Sequence, residues 1–207
     1  MNFLVEGPED AKHTLVLAHG AGAPMDSGFM SEIPTGLGAK AVRVVRFEFP
    51  YMQARRETGA RKGPDREPVL LESWRQVAKE LGGGTGLAIG GKSMGGRMAS
   101  MVADELGVAA LVCLGYPFHP PGRPDRLRTA HLSELRTPAL IVQGSRDPFG
   151  GRDEVLGYPL APAVRLHWLE DGDHDFRPRA ASGRTHRQNK EEAVEVVARF
   201  LASLQSA

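Results

Sequence analysis

The sequence lacks most of the features that assign a chain to a specialised class of protein. It contains a single cysteine, Cys113, which excludes an internal disulfide framework. Its 26 basic and 25 acidic residues give a formal net charge of +1, which argues against a nucleic acid or a membrane surface as a partner. No apolar run approaches the length of a membrane span, and residues 1–6 do not resemble a signal peptide. We therefore expect a cytoplasmic protein.

What the sequence does have is an alternation of short apolar runs with segments of helical periodicity. The runs that predict strands are residues 14–17, 41–47, 87–89, 109–114, 139–143 and 164–169. Such an alternation is typical of an α/β fold, a three-layer sandwich with a mainly parallel central sheet and helices on both faces. With 207 residues, 41% of them hydrophobic, we expect a single domain over residues 1–207 without a separate cap.

The spacing of apolar residues also predicts the helices. One covers residues 70–81, and the last begins near Asn189, where Asn189 and Glu192 resemble a capping pair. A weaker helix over residues 27–37 is expected to be interrupted at Pro34. The basic stretch 50–68 and the proline-rich stretch 116–135 are predicted to be irregular, and either could border a functional site.

The most specific motif is Gly91-Lys92-Ser93-Met94-Gly95, which has the pattern G-x-S-x-G. A predicted strand precedes it and residues at helical spacing follow it. Strand, sharp turn and helix form the context of a nucleophile elbow, in which a serine hydroxyl stands exposed above the sheet. Ser93 is therefore predicted to be a nucleophile that attacks a carbonyl carbon.

The same residues fit a second pattern. Residues 86–93 spell G-x-x-x-x-G-K-S, the phosphate-binding loop of nucleotide-binding proteins. That loop needs a strand before its first glycine, but residues 82–85 are three glycines and a threonine, and the best nearby strand lies inside the pattern. A nucleotide-binding protein is the distant alternative.

A serine nucleophile needs a histidine base, and the base needs an acid that fixes its tautomer. Asp147 follows the strand predicted at 139–143, and His174 follows the strand predicted at 164–169. Both would lie at the carboxyl edge of the sheet, where Ser93 also stands. His119 and His131 fit less well: either could touch substrate, but both are expected at the surface. The acidic residues beside His174, among them Asp173 and Asp175, are weaker candidates for the acid, and they also leave a metal site as an alternative.

The negative charge that develops on the attacked carbonyl oxygen needs backbone amide donors. One is expected from Met94, directly after the nucleophile. The other is expected from the glycine-rich loop after the first predicted strand, from Ala21 or alternatively Gly22, with His19 bracing that loop. Lys92 could face an anionic substrate, or it could be structural.

Five segments, HGAGAP, GKSMGG, the stretch from GYPF to HL, QGSRDPFG and GDHDF, together resemble a bacterial family of small, cap-less α/β-hydrolases often labelled dienelactone-hydrolase-like. The resemblance covers nearly the whole chain. True dienelactone hydrolases use a cysteine nucleophile, whereas this position is Ser93, and Cys113 is expected to be inert core.

The resemblance implies a serine hydrolase that acts on a small-molecule ester or thioester and needs no cofactor. From the residues themselves we also expect no metal, and the near-zero net charge and short apolar runs argue against a nucleic-acid or membrane partner. The same fold includes non-catalytic proteins, so a binding or scaffold protein remains the alternative.

Overall fold

The predicted strands assemble into one sheet in the computed structural model, which describes residues 1–59 and 62–204. In this described part of the chain the sheet has seven strands: β1 (Leu4–Glu6), β2 (Thr14–Ala18), β3 (Arg43–Phe47), β4 (Leu87–Lys92), β5 (Ala110–Leu114), β6 (Ala139–Gly144) and β7 (Val164–Leu169). Their spatial order is β1-β3-β2-β4-β5-β6-β7. Only β1 at the edge is antiparallel to its neighbour among these strands, so the prediction of a mainly parallel α/β sheet is confirmed.

Helices cover both faces of the sheet. Within residues 1–59 and 62–204 they are α1 (Gly28–Gly38), α2 (Pro50–Thr58), α3 (Glu67–Glu80), α4 (Met94–Leu106), α5 (Arg152–Val155) and α6 (His186–Ala202). Alternate side chains of a strand point to opposite faces, so Leu15 and Leu17 pack with α1 and α6, whereas Val16 packs with α3 and α4. None of the helices in this part of the chain is both long and apolar enough to cross a membrane.

Pro34 does not interrupt α1, contrary to the prediction from sequence. A proline inside a helix leaves the carbonyl four residues earlier, here that of Met30, without its amide donor. The Met30 oxygen instead accepts a hydrogen bond of 2.7 Å from Nη1 of Arg46 on the neighbouring strand β3. A buried side chain from another element thus replaces the missing bond, and α1 continues to Gly38.

The prediction that residues 50–68 are irregular was also wrong for most of that stretch. Residues 50–58 form α2, which begins at Pro50 and ends at Gly59 in the left-handed conformation, and α3 begins at Glu67. Only Tyr51 and Met52 of α2 are buried, so the helix has too few apolar residues to show a periodicity. Proline at its start and glycine at its end were the signals present in the sequence. Residues 60 and 61 lie outside the described residues.

The last helix has a different cap from the one predicted. Thr185 is the N-cap residue of α6, where its hydroxyl accepts a hydrogen bond from the amide of Gln188. Asn189 is fully buried inside the helix, and its Nδ2 donates to the carbonyl oxygen of Phe176 at 2.9 Å. It therefore ties α6 to the loop after β7.

Candidate active site

Ser93 stands in a sharp turn between β4 and α4. Its φ of 51° lies in the left-handed region, which is unusual for a residue with a side chain. The turn is tight because α4 presses against the end of β2: a Cβ on Gly95 would come within 2.6 Å of the carbonyl oxygen of His19. Residues 87–92 are all strand, so they cannot be the loop that a phosphate-binding motif requires.

The structure brings the three predicted triad residues into one chain of hydrogen bonds. Oγ of Ser93 lies 2.9 Å from Nε2 of His174, and Nδ1 of His174 lies 2.7 Å from Oδ2 of Asp147. Because a carboxylate only accepts, Nδ1 carries the ring proton, and Nε2 is free to accept the proton of the serine hydroxyl. The Asp147 side chain is fully buried, whereas 18% of the His174 side chain is exposed. The arrangement can take a proton from Ser93 at a surface that substrate can reach.

Asp147 is itself held in place by two further donors. Its Oδ1 accepts from the amide of Phe149 at 2.9 Å, and its Oδ2 accepts from Nε2 of Gln143 at 3.0 Å. Gln143, the fully buried residue next to the end of β6, also accepts from the amide of Tyr116 at 2.7 Å. Gln143 was not among the residues predicted for the site, although its polar side chain near the end of an otherwise apolar strand was the available signal.

Lys92 is buried and structural in this arrangement, although it adjoins the nucleophile. Its Nζ donates to the carbonyl oxygen of His174 at 2.7 Å, lies 3.2 Å from Oδ1 of Asp175 and lies 5.2 Å from the centre of the Phe29 ring. Burial lowers the pKa of Lys92, and Asp175 opposes that shift. Lys92 therefore ties the backbone of the His174 loop to the elbow.

The acidic residues around His174 are occupied by other contacts. Asp171 pairs with Arg146 and Arg179, and Oδ1 of Asp173 accepts the amides of Asp175 and Arg177. Within residues 1–59 and 62–204, no group of three or more candidate ligand residues is placed to hold a metal ion. Neither Asp173 nor Asp175 forms a hydrogen bond with the His174 ring, whose partners are Ser93 and Asp147.

The loop after β2 lies against Ser93 and is braced from two sides. A Cβ on Gly20 would be 3.6 Å from Cβ of Ser93. The amide of Phe49 donates to Nε2 of His19 at 3.1 Å, which leaves Nδ1 to donate to the carbonyl oxygen of Gly20 at 2.7 Å. The Tyr51 hydroxyl donates to the carbonyl oxygen of Ala21 at 3.0 Å. These bonds fix the two peptide planes that carry the amides of Ala21 and Gly22.

Three amides near Ser93 are free to bind an oxyanion. The N–H groups of Ala21, Gly22 and Met94 have no hydrogen-bond acceptor among the residues that the structure describes. Met94 is also the first residue of α4, and a helix N-terminus favours negative charge. The sequence did not reveal that Tyr51, a residue of α2, helps to hold the loop that carries the amides of Ala21 and Gly22.

Comparison with known proteins gives the family. The family model described as an alpha/beta hydrolase domain matches residues 11–202. The chain belongs to the α/β-hydrolase family. The resemblance inferred from the sequence is therefore confirmed.

Solved structures of the same fold include an α/β serine hydrolase homologue from Coxiella burnetii, with 17% identity, a TM-score of 0.72 and coverage of 96% of this chain and 90% of that one. A lidless α/β serine hydrolase from Xanthomonas campestris has 19% identity and a TM-score of 0.72, with 99% and 90% covered. A dienelactone hydrolase from Anabaena variabilis has 17% identity and a TM-score of 0.72, with 99% and 92% covered. At these identities the likeness shows the fold.

Two cavities of about 340 Å³ each meet at Ser93 in this hydrolase-family protein, and Ala21, Ser93 and Phe149 line both. We call the first the His174 cavity; its other walls include Phe29, Met30, Lys92, His174 and Asp175. We call the second the Arg128 cavity; its other walls include Leu70, Met94, Arg97, Met98 and Arg128. The Phe149 ring stands beside the His174 ring, with 4.2 Å between their centres, and it lines both cavities.

The two histidines expected at the surface are partly or fully buried. His119 is 3% exposed, and its Nε2 lies 3.1 Å from Oε1 of Glu154. His131 lies behind α4, where its Nε2 is 2.8 Å from Oγ of Ser100. Both were assigned to the surface because a polar, proline-rich stretch predicts solvent exposure, but residues 116–135 fold back onto α4 and α5.

Proposed function

We propose that this protein is a serine hydrolase that cleaves a small carboxylic ester or thioester through an acyl-enzyme intermediate. The observation that carries the proposal is the hydrogen-bond chain from Ser93 through His174 to Asp147. Its support is the strained elbow that exposes the serine and the cavities that reach it.

In the first half of the reaction, Oγ of Ser93 bonds to the carbonyl carbon while His174 takes the hydroxyl proton. The bond from that carbon to the leaving oxygen or sulfur then breaks, and His174 returns the proton to the leaving group. In the second half, His174 takes a proton from water as the water oxygen attacks the acyl carbon. The bond from that carbon to Oγ of Ser93 then breaks, and His174 gives the proton to Oγ, which releases the free acid and restores Ser93. Asp147 stays ionised and stabilises the charged imidazole throughout.

The oxyanion of each tetrahedral intermediate is assigned to the amides of Met94 and Ala21, with Gly22 as the alternative to Ala21. Free amides on a braced loop stabilise this charge well because they need no reorganisation when it develops. Three expectations stay predictions: that residues 1–207 form one domain without a cap, that the protein is cytoplasmic, and that it needs no cofactor or metal.

Labelling by a fluorophosphonate probe tests the proposal. The folded protein should take up one probe at Ser93, as located by peptide mass spectrometry, and Ser93→Ala should take up none. Both should also be assayed with a short model ester, which only the wild type should hydrolyse. If folded wild type neither reacts nor turns over ester, the protein is instead a non-catalytic binding or scaffold member of the family.

A further inference from the structure

The position of His174 divides the substrate between the two cavities. This step rests on the proposed function. His174 must give its proton to the leaving oxygen or sulfur, so the leaving group lies in the His174 cavity. The acyl group then extends to the other side of Ser93, into the Arg128 cavity, which Met94 lines and His174 does not. The walls of the Arg128 cavity therefore select the acyl group.

The Arg128 cavity combines an apolar middle with charged walls. Leu70, Met98 and Pro117 supply apolar surface, whereas Asp65, Glu67, Arg97 and Arg128 supply charge. The formal charges of these four side chains cancel, so their individual contacts decide which of them is available to a ligand.

Three of the four charged side chains already have hydrogen-bond partners within the protein. Nη2 of Arg97 donates to Oε2 of Glu67 at 2.8 Å. Oδ2 of Asp65 accepts from the amide of Tyr51 at 2.9 Å, at the start of α2, where a negative charge is favoured. Nε of Arg97 is buried and has no hydrogen-bond partner among the residues that the structure describes, so Glu67 satisfies only part of that guanidinium.

Arg128 is the fourth charged side chain of the cavity wall. In the described part of the chain, no hydrogen bond or ion pair holds its guanidinium, although the residue is half-buried. Burial and the nearby charge of Arg97 lower the pKa of Arg128. An arginine nevertheless stays protonated near neutral pH. A half-buried cation beside a second cation, with no acceptor of its own, is stabilised by an anion.

We propose that the Arg128 cavity takes the acyl part of an ester or thioester of a short dicarboxylic acid, with the free carboxylate at Arg128. A guanidinium presents two parallel N–H donors that match the two oxygens of a carboxylate. The methylene groups between the reacting carbonyl and the free carboxylate lie against Leu70, Met98 and Pro117. Arg128 is then a specificity-determining residue, and the substrate class is a half-ester or half-thioester.

Three methyl esters of equal acyl length test this. Monomethyl glutarate ends in a carboxylate, and methyl pentanoate ends in a methyl group. The third compound, the methyl ester of the five-carbon ω-amino acid, ends in an ammonium. Hydrolysis is followed by proton release or product chromatography at constant ionic strength. A hydrogen bond to a charged group contributes enough to predict about a tenfold preference in kcat/KM for the anionic over the neutral ester. The ammonium ester should be the poorest substrate.

The ratio of kcat/KM between anionic and neutral esters is compared across variants, because a partial loss of folded enzyme cancels from it. Arg128→Gln should bring the ratio to about one. Arg126→Gln removes the same charge from an exposed position in the same loop and should leave the ratio at the wild-type value. Glu67→Gln removes the carboxylate that competes for Arg97 and should raise the ratio. An equal rate for both esters in the wild type, or a preference that survives Arg128→Gln, overturns the proposal.

A binding measurement separates this inference from the proposed function. Titration calorimetry with glutarate should give binding to wild type and to Ser93→Ala, and weaker binding to Arg128→Gln. If no ester is hydrolysed and Ser93 takes no probe but glutarate still binds through Arg128, the hydrolase mechanism fails and the anion site stands. If esters are hydrolysed but glutarate does not bind and the ester ratio is one, the hydrolase stands and the anion site fails.

Discussion

Replacing Asp147 with asparagine tests the hydrogen-bond chain at its most sensitive point. Asp147 accepts three hydrogen bonds, from His174, Gln143 and the amide of Phe149. An asparagine has one accepting oxygen and one donating nitrogen. If the nitrogen faces His174 and Gln143, it meets the Gln143 donor and forces the imidazole proton to Nε2. If the nitrogen faces the Phe149 amide, two donors meet there.

Either orientation has a cost that can be stated. A buried donor without an acceptor costs about 1–3 kcal/mol, so the variant should fold with a lower melting temperature. Catalysis should suffer more in both cases. In the first orientation an imidazole protonated at Nε2 cannot accept the proton of Ser93, and in the second the charged imidazole that forms during the reaction loses the carboxylate that stabilises it. The same substitution in a serine protease with these three groups lowers turnover by about four orders of magnitude, roughly 5 kcal/mol. We expect a loss of about that size in kcat.

The assay is the turnover of a short model ester by wild type, Asp147→Asn and the matched control Asp173→Asn. Asp173 lies one residue from His174, but its carboxylate is bound to backbone amides. The control should therefore stay within about tenfold of the wild type. Each kcat is corrected for the folded fraction from a melting curve. The reasoning is refuted if Asp147→Asn keeps more than a tenth of the wild-type turnover, or if Asp173→Asn is the more damaged variant.

Two further predictions concern acyl length and pH. Short acyl esters should be hydrolysed faster than long ones, because the Arg128 cavity holds only about 340 Å³, near the lower end of ligand pockets. A kcat/KM series over methyl esters checks this, and a maximum at long chains would contradict it. The second prediction starts from His19, whose pKa is lowered from 6.5 chiefly by burial, so the unfolded chain gains its proton at a higher pH than the folded one. Neutral His19 therefore contributes to the free energy of unfolding. This contribution is fully present above about pH 6.5 and is lost as the pH falls through the lowered pKa of the folded state. Urea unfolding between about pH 7 and pH 5 should give a smaller decline for His19→Gln than for wild type, and parallel curves would exclude His19 as the source.

Much of the fold could be predicted from sequence because its signals are contiguous. Six of the strands were located to within about three residues, since each contains a short run of apolar residues or an alternation of apolar and polar ones. The edge strand β1 and the helix α2 were missed because each contributes few buried side chains, so neither shows a clear periodicity. The failure at Pro34 had another cause: the donor that rescues α1, Arg46, lies on a different element.

The residues of the candidate site also divide into those that the sequence signals and those that it does not. Ser93, Asp147 and His174 could be singled out because each lies in the loop or turn that follows a strand, and parallel strands bring those positions to one edge. Tyr51 and Arg128 could not be singled out, because nothing in the residues around them shows what they face. Gln143 was missed although its polar side chain lies near the end of an otherwise apolar strand.

By itself, the sequence determined the alternation of strands and helices, the elbow at Ser93 and the edge on which the site would form. These follow from glycine spacing and apolar periodicity, which act over a few neighbouring residues. Only the tertiary structure decided that the Tyr51 hydroxyl holds the carbonyl of Ala21, that Lys92 holds the carbonyl of His174, and that Arg128 lines a cavity with Arg97. Each of these contacts joins residues about thirty or more positions apart, and such pairs meet only after the sheet has formed and the helices have packed on it.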